Sequence, residues 1–184
     1  MLSTLDRAKK HCGVFDTAQD DYVMLLLSAA SDACESYCRR SFRKQSYTEI
    51  TGAKDGSKYL VLRNYPILSV EQVTLDSGDI TDYEFSSDNS GMLYRSTGWP
   101  CGPRTVNVTY TAGYVLPGEE TPEESLTLPA AIELACLMLV KQMFTEQIHT
   151  ETERLGDYSA KYRAGNTLPA AVESLLNPYV GRWV

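Results

Sequence analysis

"VNVTYTAGYVLPGEETPEESLTLPAAIELACLMLVKQM", residues 106–143, changes its period partway along. At its start Val106, Val108 and Tyr110 fall on one side of an extended chain and Asn107, Thr109 and Thr111 on the other, the pattern of a strand in a sheet with one dry face. "LPGEETPEESLTLP" then reads as a polar connection punctuated by proline, with Thr127 expected to cap a helix and Pro129 in its first turn, where the missing N–H costs nothing. In that helix Ala131, Ile132, Leu134, Ala135, Leu137, Met138, Leu139, Val140, Met143 and Phe144 leave little but Glu133, Lys141 and Gln142 for water. A helix apolar on most of its circumference must be covered on several sides. It is either the central core helix or in part a subunit interface.

Upstream, strand-like runs rich in Tyr, Val, Thr, Ile and Leu extend from Gln45 to Tyr114, separated by "TGAKDGS", "DSGD", "SSDNSG" and "STGWPCGPR". Gly for positive φ and Asp or Asn for local capping make these turn clusters, spaced as in an antiparallel meander of five or six strands. Before them, Val23, Leu26, Leu27, Ala30, Cys34, Tyr37 and Cys38 recur at intervals of three and four and draw an apolar stripe on a helix from about Asp20 to Arg39. Asp20 and Asp21 at its start and Arg39 and Arg40 at its end suit the helix dipole. Ser3 or Thr4 is placed to cap a short first helix through Lys10, with Gly13 ending it.

Downstream, "LGDYSAKYRAG", residues 155–165, alternates again: Tyr158, Ala160 and Tyr162 face one way, and Asp157, Ser159, Lys161 and Arg163 the other. A lone strand there needs a pairing neighbour, in this chain's own meander or in a second copy. "LPAAVESLLNPYV" follows as a helix started by proline, striped by Val172, Leu175 and Leu176 and stopped by Pro178. Trp183 beside Arg182 either folds back on the domain or anchors a partner, residue types that dominate binding hot spots.

At 184 residues the chain suffices for one ordinary domain with a smaller subdomain. A net charge of −7 argues against wrapping nucleic acid, which needs clustered Lys and Arg, but suits a surface that DNA slides past. Neither a secretory signal nor a membrane span is legible, so a soluble product is expected. Five cysteines without extracellular context read as free buried thiols, and the Asn107 sequon as a chance match. Cys34 and Cys38 lack a second pair of metal ligands, and the run Asp76, Asp79, Asp82, Glu84 lacks calcium-loop grammar and reads as a solvated hairpin turn. "RRSFRK", 39–44, reads as a solvated helix end pairing with acidic neighbours. His11 and His149 form no cluster, and nucleophile-elbow, phosphate-loop and dinucleotide motifs are absent. No catalytic residue, metal site or cofactor is therefore nominated.

Taken in order, "DDYVMLLLSAASDACESYCRRSF", "NYPILSVEQV", "VNVTYTAGY", "LPAAIELACLMLVKQM", "ERLGDYSAKY" and "LPAAVESLLNPYV" give a chain that resembles, nearly end to end, the head-tail connector (portal adaptor) proteins of tailed double-stranded DNA phages. The resemblance implies an α+β fold: one adaptor domain over 1–184, a small helical bundle with long helices near 20–39, 128–147 and 168–177, and an antiparallel β-rich subdomain inserted at 45–115. It implies a non-enzymatic virion component at the head-tail interface, assembled in the host cytoplasm without a membrane. About a dozen copies would ring the channel beneath the portal protein and support a stopper or tail-completion protein, while DNA passes without sequence-specific binding. The family's C-terminal arm contacts the portal, which carries over to Tyr179, Arg182 and Trp183. In a ring, the strand containing Gly156, Asp157, Tyr158 and Tyr162 can be satisfied by the adjacent copy or meet the tail side.

The alternative is a free-standing cytoplasmic β-rich module that binds a ligand or protein on its turn-rich edge, with Tyr94, Trp99 and Tyr114 as an aromatic platform.

Overall fold

The computed structural model describes residues 1–53, 56–75, 78–85, 91–102, 104–146 and 168–181. The chain forms two compact units, one helical (Met1–Cys38 with Leu128–Val180) and one β-rich (Arg39–Thr127, joined by Gly181). The class is α+β.

The helical unit contains α1 (Leu5–Cys12), α2 (Asp20–Cys38), α3 (Ala130–Glu146) and α4 (Ala170–Leu176), the last running into a 3-10 turn at Asn177–Tyr179. Thr4 caps α1 by accepting a hydrogen bond from the Arg7 N–H at 3.4 Å. Gly13 closes α1 in the left-handed conformation at φ 81°, with its N–H and that of Val14 returned to the Lys10 and Lys9 carbonyls. On α2 the stripe Val23, Leu26, Leu27, Ala30, Cys34 and Cys38 is buried as the spacing predicts, whereas Tyr37, expected in the same stripe, is only half-buried. The helix α3 packs against α1, α2 and α4, so its apolar circumference is used mainly as core. Ile132, Ala135, Cys136 and Val140 are fully buried there, and burying each large aliphatic side chain is worth about 1.5–3 kcal/mol. Buried Ser31 is satisfied twice: its hydroxyl donates to the Leu27 carbonyl at 2.7 Å and accepts from the Leu2 N–H at 3.0 Å. Thr127 does not cap α3. Its hydroxyl accepts from the Val115 N–H at 2.9 Å, while the Pro129 carbonyl takes the first α3 hydrogen bonds.

The β unit holds β1 (Gln45–Thr51), β2 (Tyr59–Val61), β3 (Ile67–Leu75), β4 (Gly78–Asp79), β5 (Glu84–Phe85), β6 (Met92–Tyr94) and β7 (Val106–Ala112). These form two antiparallel sheets, β1-β7-β3-β4 and β2-β6-β5. This differs from the expected meander: β1 pairs with β7, the last strand, in the register Gln45 to Ala112 through Thr51 to Val106. Alternation reveals which face of a strand is dry but not which strand lies beside it. As the sequence predicts, Val106, Val108, Tyr110 and Ala112 of β7 point inward. They meet Leu60, Leu62, Ile67, Val73, Leu93 and Trp99 in one core shared by both sheets. On the outer face polar pairs dominate, with the Thr48 and Thr109 hydroxyls 3.1 Å apart and Thr111 donating to Glu71 at 2.9 Å.

Candidate interaction surfaces

Within the helical unit, Ser3 and Arg7 reach across to Glu133 of α3, the hydroxyl at 2.8 Å and the guanidinium at 2.7 and 2.8 Å to the two carboxylate oxygens. That pairing fixes α1 on α3 and leaves an open groove of about 420 Å³ along their flank, lined by Ala130, Leu134 and Leu137 of α3 and by Lys10 and His11 of α1. Leu134 is 44% exposed there. On α2, the side opposite the buried stripe presents Met24 and Leu25, the latter 65% exposed, between Asp21 and Asp32. At the α1–α2 corner Phe15 is 86% exposed beside a shallow groove of about 640 Å³ that also takes in Cys12, Val14, Gln19 and Phe144. Tyr22 packs on Phe144, ring centres 6.0 Å apart. Sequence periodicity could not have found these exposed apolar residues, because Met24 and Leu25 sit in a run of leucines whose members differ only in which way the finished helix is turned.

Of the nominated residues, Tyr179 lies half-buried in the turn after α4, which Tyr37 of α2 holds by donating to the Asn177 side-chain oxygen at 2.7 Å. Arg182 and Trp183 lie outside the described residues, as do Gly156, Asp157, Tyr158 and Tyr162.

The aromatic platform of the alternative reading is not present on the β unit. Trp99 is 2% exposed and donates its indole N–H to the Leu93 carbonyl at 3.3 Å; Tyr114 is 6% exposed; Tyr94 packs on Tyr59 at 5.3 Å. Trp99 is held in the core against β6, and Tyr114 is tied by backbone hydrogen bonds to Phe42 and Lys44, so the rings share no open face.

"RRSFRK" divides. Arg43 pairs with Glu119 at 2.9 Å and Lys44 pairs with Glu124, so two acids of the 119–124 connection are neutralised, as expected of a basic segment with acidic neighbours. Arg40, in contrast, is 3% exposed, not solvated. Its guanidinium lies 3.3 Å from the centre of the Tyr65 ring and 4.9 Å from that of Phe42, and donates to the Tyr65 carbonyl. Desolvated cation–π contact of this kind is worth about 2 kcal/mol and offsets part of the cost of burying the charge. The cause is local: Arg39 adopts φ 55°, turning the chain sharply after α2 and sending Arg40 inward.

In the acidic run Asp79 sits in the β3–β4 hairpin, and Asp82 accepts from Arg95 at 2.9 Å, which holds its carboxyl below the usual aspartate range. Asp76 lies outside the described residues. Cys34, Cys38 and Cys136 are buried free thiols; Cys12 is partly covered and Cys101 exposed. Among the described residues no group of three or more His, Cys, Asp or Glu could hold a metal ion, and no helix is long and apolar enough to cross a membrane. What these surfaces offer is shape, apolar area and charge for contact with other macromolecules.

The family model described as "Head completion protein" matches residues 1–181. Comparison with curated protein sequences gives no match. Among solved structures, the chain is similar to one from the neck of an empty gene transfer agent (GTA) particle computed with C6 symmetry, at TM-score 0.62 and 16% identity, covering 98% of this chain and 90% of the other. It is similar to another from the neck of a native GTA particle computed with C12 symmetry, at TM-score 0.58 and 16% identity, over 98% and 89%. A third, from the virion of a native GTA particle, aligns at TM-score 0.60 and 17% identity over 98% and 90%.

Proposed function

Because the chain belongs to the head completion protein family, we propose that it is a structural subunit of a phage-type neck: a connector that assembles as a ring beneath the portal, lengthens the DNA channel and carries the stopper or tail-completion protein. The observation that carries this reading is the family match along residues 1–181, and the fold shared with chains from symmetric necks supports it. The role is mechanical and involves no bond-making. One adaptor domain, with its β-rich part inserted at 45–115, serves it, and the helical frame supplies contacts to siblings.

In this reading Tyr179, Arg182 and Trp183 form the arm that grips the portal, and Gly156, Asp157, Tyr158 and Tyr162 meet the neighbouring copy or the tail side. A ring built of like subunits needs a heterologous contact that closes by rotation. The net charge of −7 keeps DNA from adhering as it passes. Subunits are made in the host cytoplasm and end in the virion. The competing reading, a cytoplasmic β-rich binding module, loses its main support because Trp99 and Tyr114 are buried.

Deleting the gene tests the role. Particles lacking the chain are expected to lose packaged DNA and fail to join tails; normal genome retention and tail attachment in its absence would overturn the proposal.

A further inference from the structure

We propose that the outer face of α2 in one copy seats in the α1–α3 groove of the next, forming the repeating head-to-tail contact of the ring. This rests on the neck-subunit reading above. Both surfaces belong to the same helical unit, and each lies opposite its own helix's buried stripe: Met24, Leu25, Ser28 and Ala29 away from Val23, Leu27 and Cys34 on α2, and Ala130, Leu134 and Leu137 away from Ala135, Cys136 and Leu139 on α3.

Their chemistry is complementary. The α2 face is apolar at its centre and acidic at both ends, with Asp21 and Asp32 about 16 Å apart along the helix at 1.5 Å per residue. Among the described residues neither acid has an ion-pair partner, and neither do Lys10 and His11 on the rim of the groove. The small side chains of Ser28 and Ala29 leave a shallow gap between turns into which Leu134 and Leu137 of the next copy can pack.

Charge also selects the mode of pairing. Two α2 faces brought together about a two-fold axis would oppose Asp21 to Asp32, and two grooves would oppose Lys10 to Lys10; like charges across an interface are penalised. Only the heterologous pairing sets an acidic end of the α2 face against Lys10, and a heterologous contact repeats around a ring instead of stopping at a dimer.

The test uses full-length chain in assembled particles. A benzoylphenylalanine photocrosslinker at Leu25 should, on irradiation, yield a covalent dimer whose crosslinked peptide contains residues 130–141 of the second copy. A dimer crosslinked elsewhere, or a crosslink to a different protein, overturns the contact while leaving the neck role standing. Wild-type chain absent from purified particles removes the role and the contact together. In a second arm, Asp21→Lys with Asp32→Lys should lower copies per particle about tenfold, equivalent to 1.4 kcal/mol, while the free chain still unfolds cooperatively, with only the small fall in unfolding temperature that a basic residue in the first turn of α2 brings. Adding Lys10→Glu and His11→Glu to the same chain should restore incorporation. Unaltered incorporation of the first variant, or failure of the second to rescue, also overturns it.

Discussion

Tyr110 donates its phenolic proton to the Glu49 carboxylate across 2.9 Å, joining the central strand β7 to the edge strand β1 beneath the chain at residues 63–64. The Asn64 N–H donates to the same phenol oxygen at 3.1 Å, and the Arg63 N–H to the Glu49 oxygens at 3.1 and 3.2 Å. Tyr110 is fully buried, so no water replaces a lost partner. Tyr110→Phe leaves the Asn64 N–H without an acceptor and should destabilise the protein by about 1–3 kcal/mol, read as a lower urea midpoint at unchanged slope.

Glu49 gives that network a pH dependence. Burial raises its pKa above the ordinary 4.5, although the hydrogen bonds from Tyr110 and Arg63 and the Arg63 charge pull the other way. A carboxyl whose folded pKa is raised binds its proton more tightly folded than unfolded. Its contribution is therefore fully present below the unfolded value and is lost as pH rises through the folded one. Thermal unfolding of wild type and Glu49→Gln, followed from pH 4 to 7, should show wild type losing stability relative to the variant as pH rises. A pH-independent difference would contradict the assignment.

Gly113 follows β7 at φ 107°, and a Cβ added there would run into the Arg43 carbonyl group and lie 2.9 Å from the Lys44 nitrogen. All are backbone atoms on the segment leading into β1, and they cannot swing away. Gly113→Ala should cost more than about 3 kcal/mol, in the range reserved for backbone clashes and core defects, and leave little soluble protein. Gly13→Ala is the control: its φ of 81° is also left-handed, but nothing lies within 4 Å of the new Cβ. It should cost only about 1–2 kcal/mol from conformational strain.

How far the sequence could be read depended on whether a feature is local. The α2 stripe, the Thr4 and Gly13 ends of α1 and the dry face of β7 are legible because each is fixed by spacing within one element. The pairing of β1 with β7 is not, since Gln45 and Ala112 are brought together only by the finished sheet. Arg40 departs from the solvated helix end its neighbours suggest for a related reason: one left-handed residue, Arg39, reverses its direction, and no composition rule anticipates a positive φ at arginine. Trp99 looks like a solvent-facing aromatic among turns until the core between the two sheets takes it in, and Tyr114 until the chain at residues 40–44 lies against it. The exposed strip at Met24 and Leu25 and the groove at Leu134 escape a pattern reading because excess apolar residues on a helix look alike whether they complete a core or wait for a partner.

The cysteines should separate into classes on native labelling. Cys101 is exposed and should react first with a thiol reagent, and Cys12, partly covered and raised in pKa by burial, more slowly. Cys34, Cys38 and Cys136 are fully buried, and Cys34 is further held as a thiol by its contact with Cys136 and by desolvation. Burial keeps reagent from all three, Cys136 included although its hydrogen-bond contacts with Cys34 and Ser31 lower its pKa and favour the reactive thiolate, so they should label only at the rate of unfolding and become reactive together in denaturant. Rapid labelling of any of them under native conditions would count against the α2–α3 packing.

The alternating stretch 155–165 provides the last test, because its two faces predict different things of the free and the assembled chain. Tyr158 and Tyr162 share one face of the strand that the spacing implies, and in a ring that face has an identical neighbour to meet. Replacing both with Asp puts two carboxylates in place of two aromatic rings at every copy of the contact. If the segment serves assembly, the free variant should unfold at the wild-type temperature yet incorporate into particles poorly, because the same small penalty recurs at each subunit boundary and the weak contacts act together on the template. If it pairs within its own β unit instead, the substitutions should lower the unfolding temperature of the free chain. Measuring unfolding and copies per particle on the same variant separates the two, and a variant wild-type in both would exclude this face from either contact.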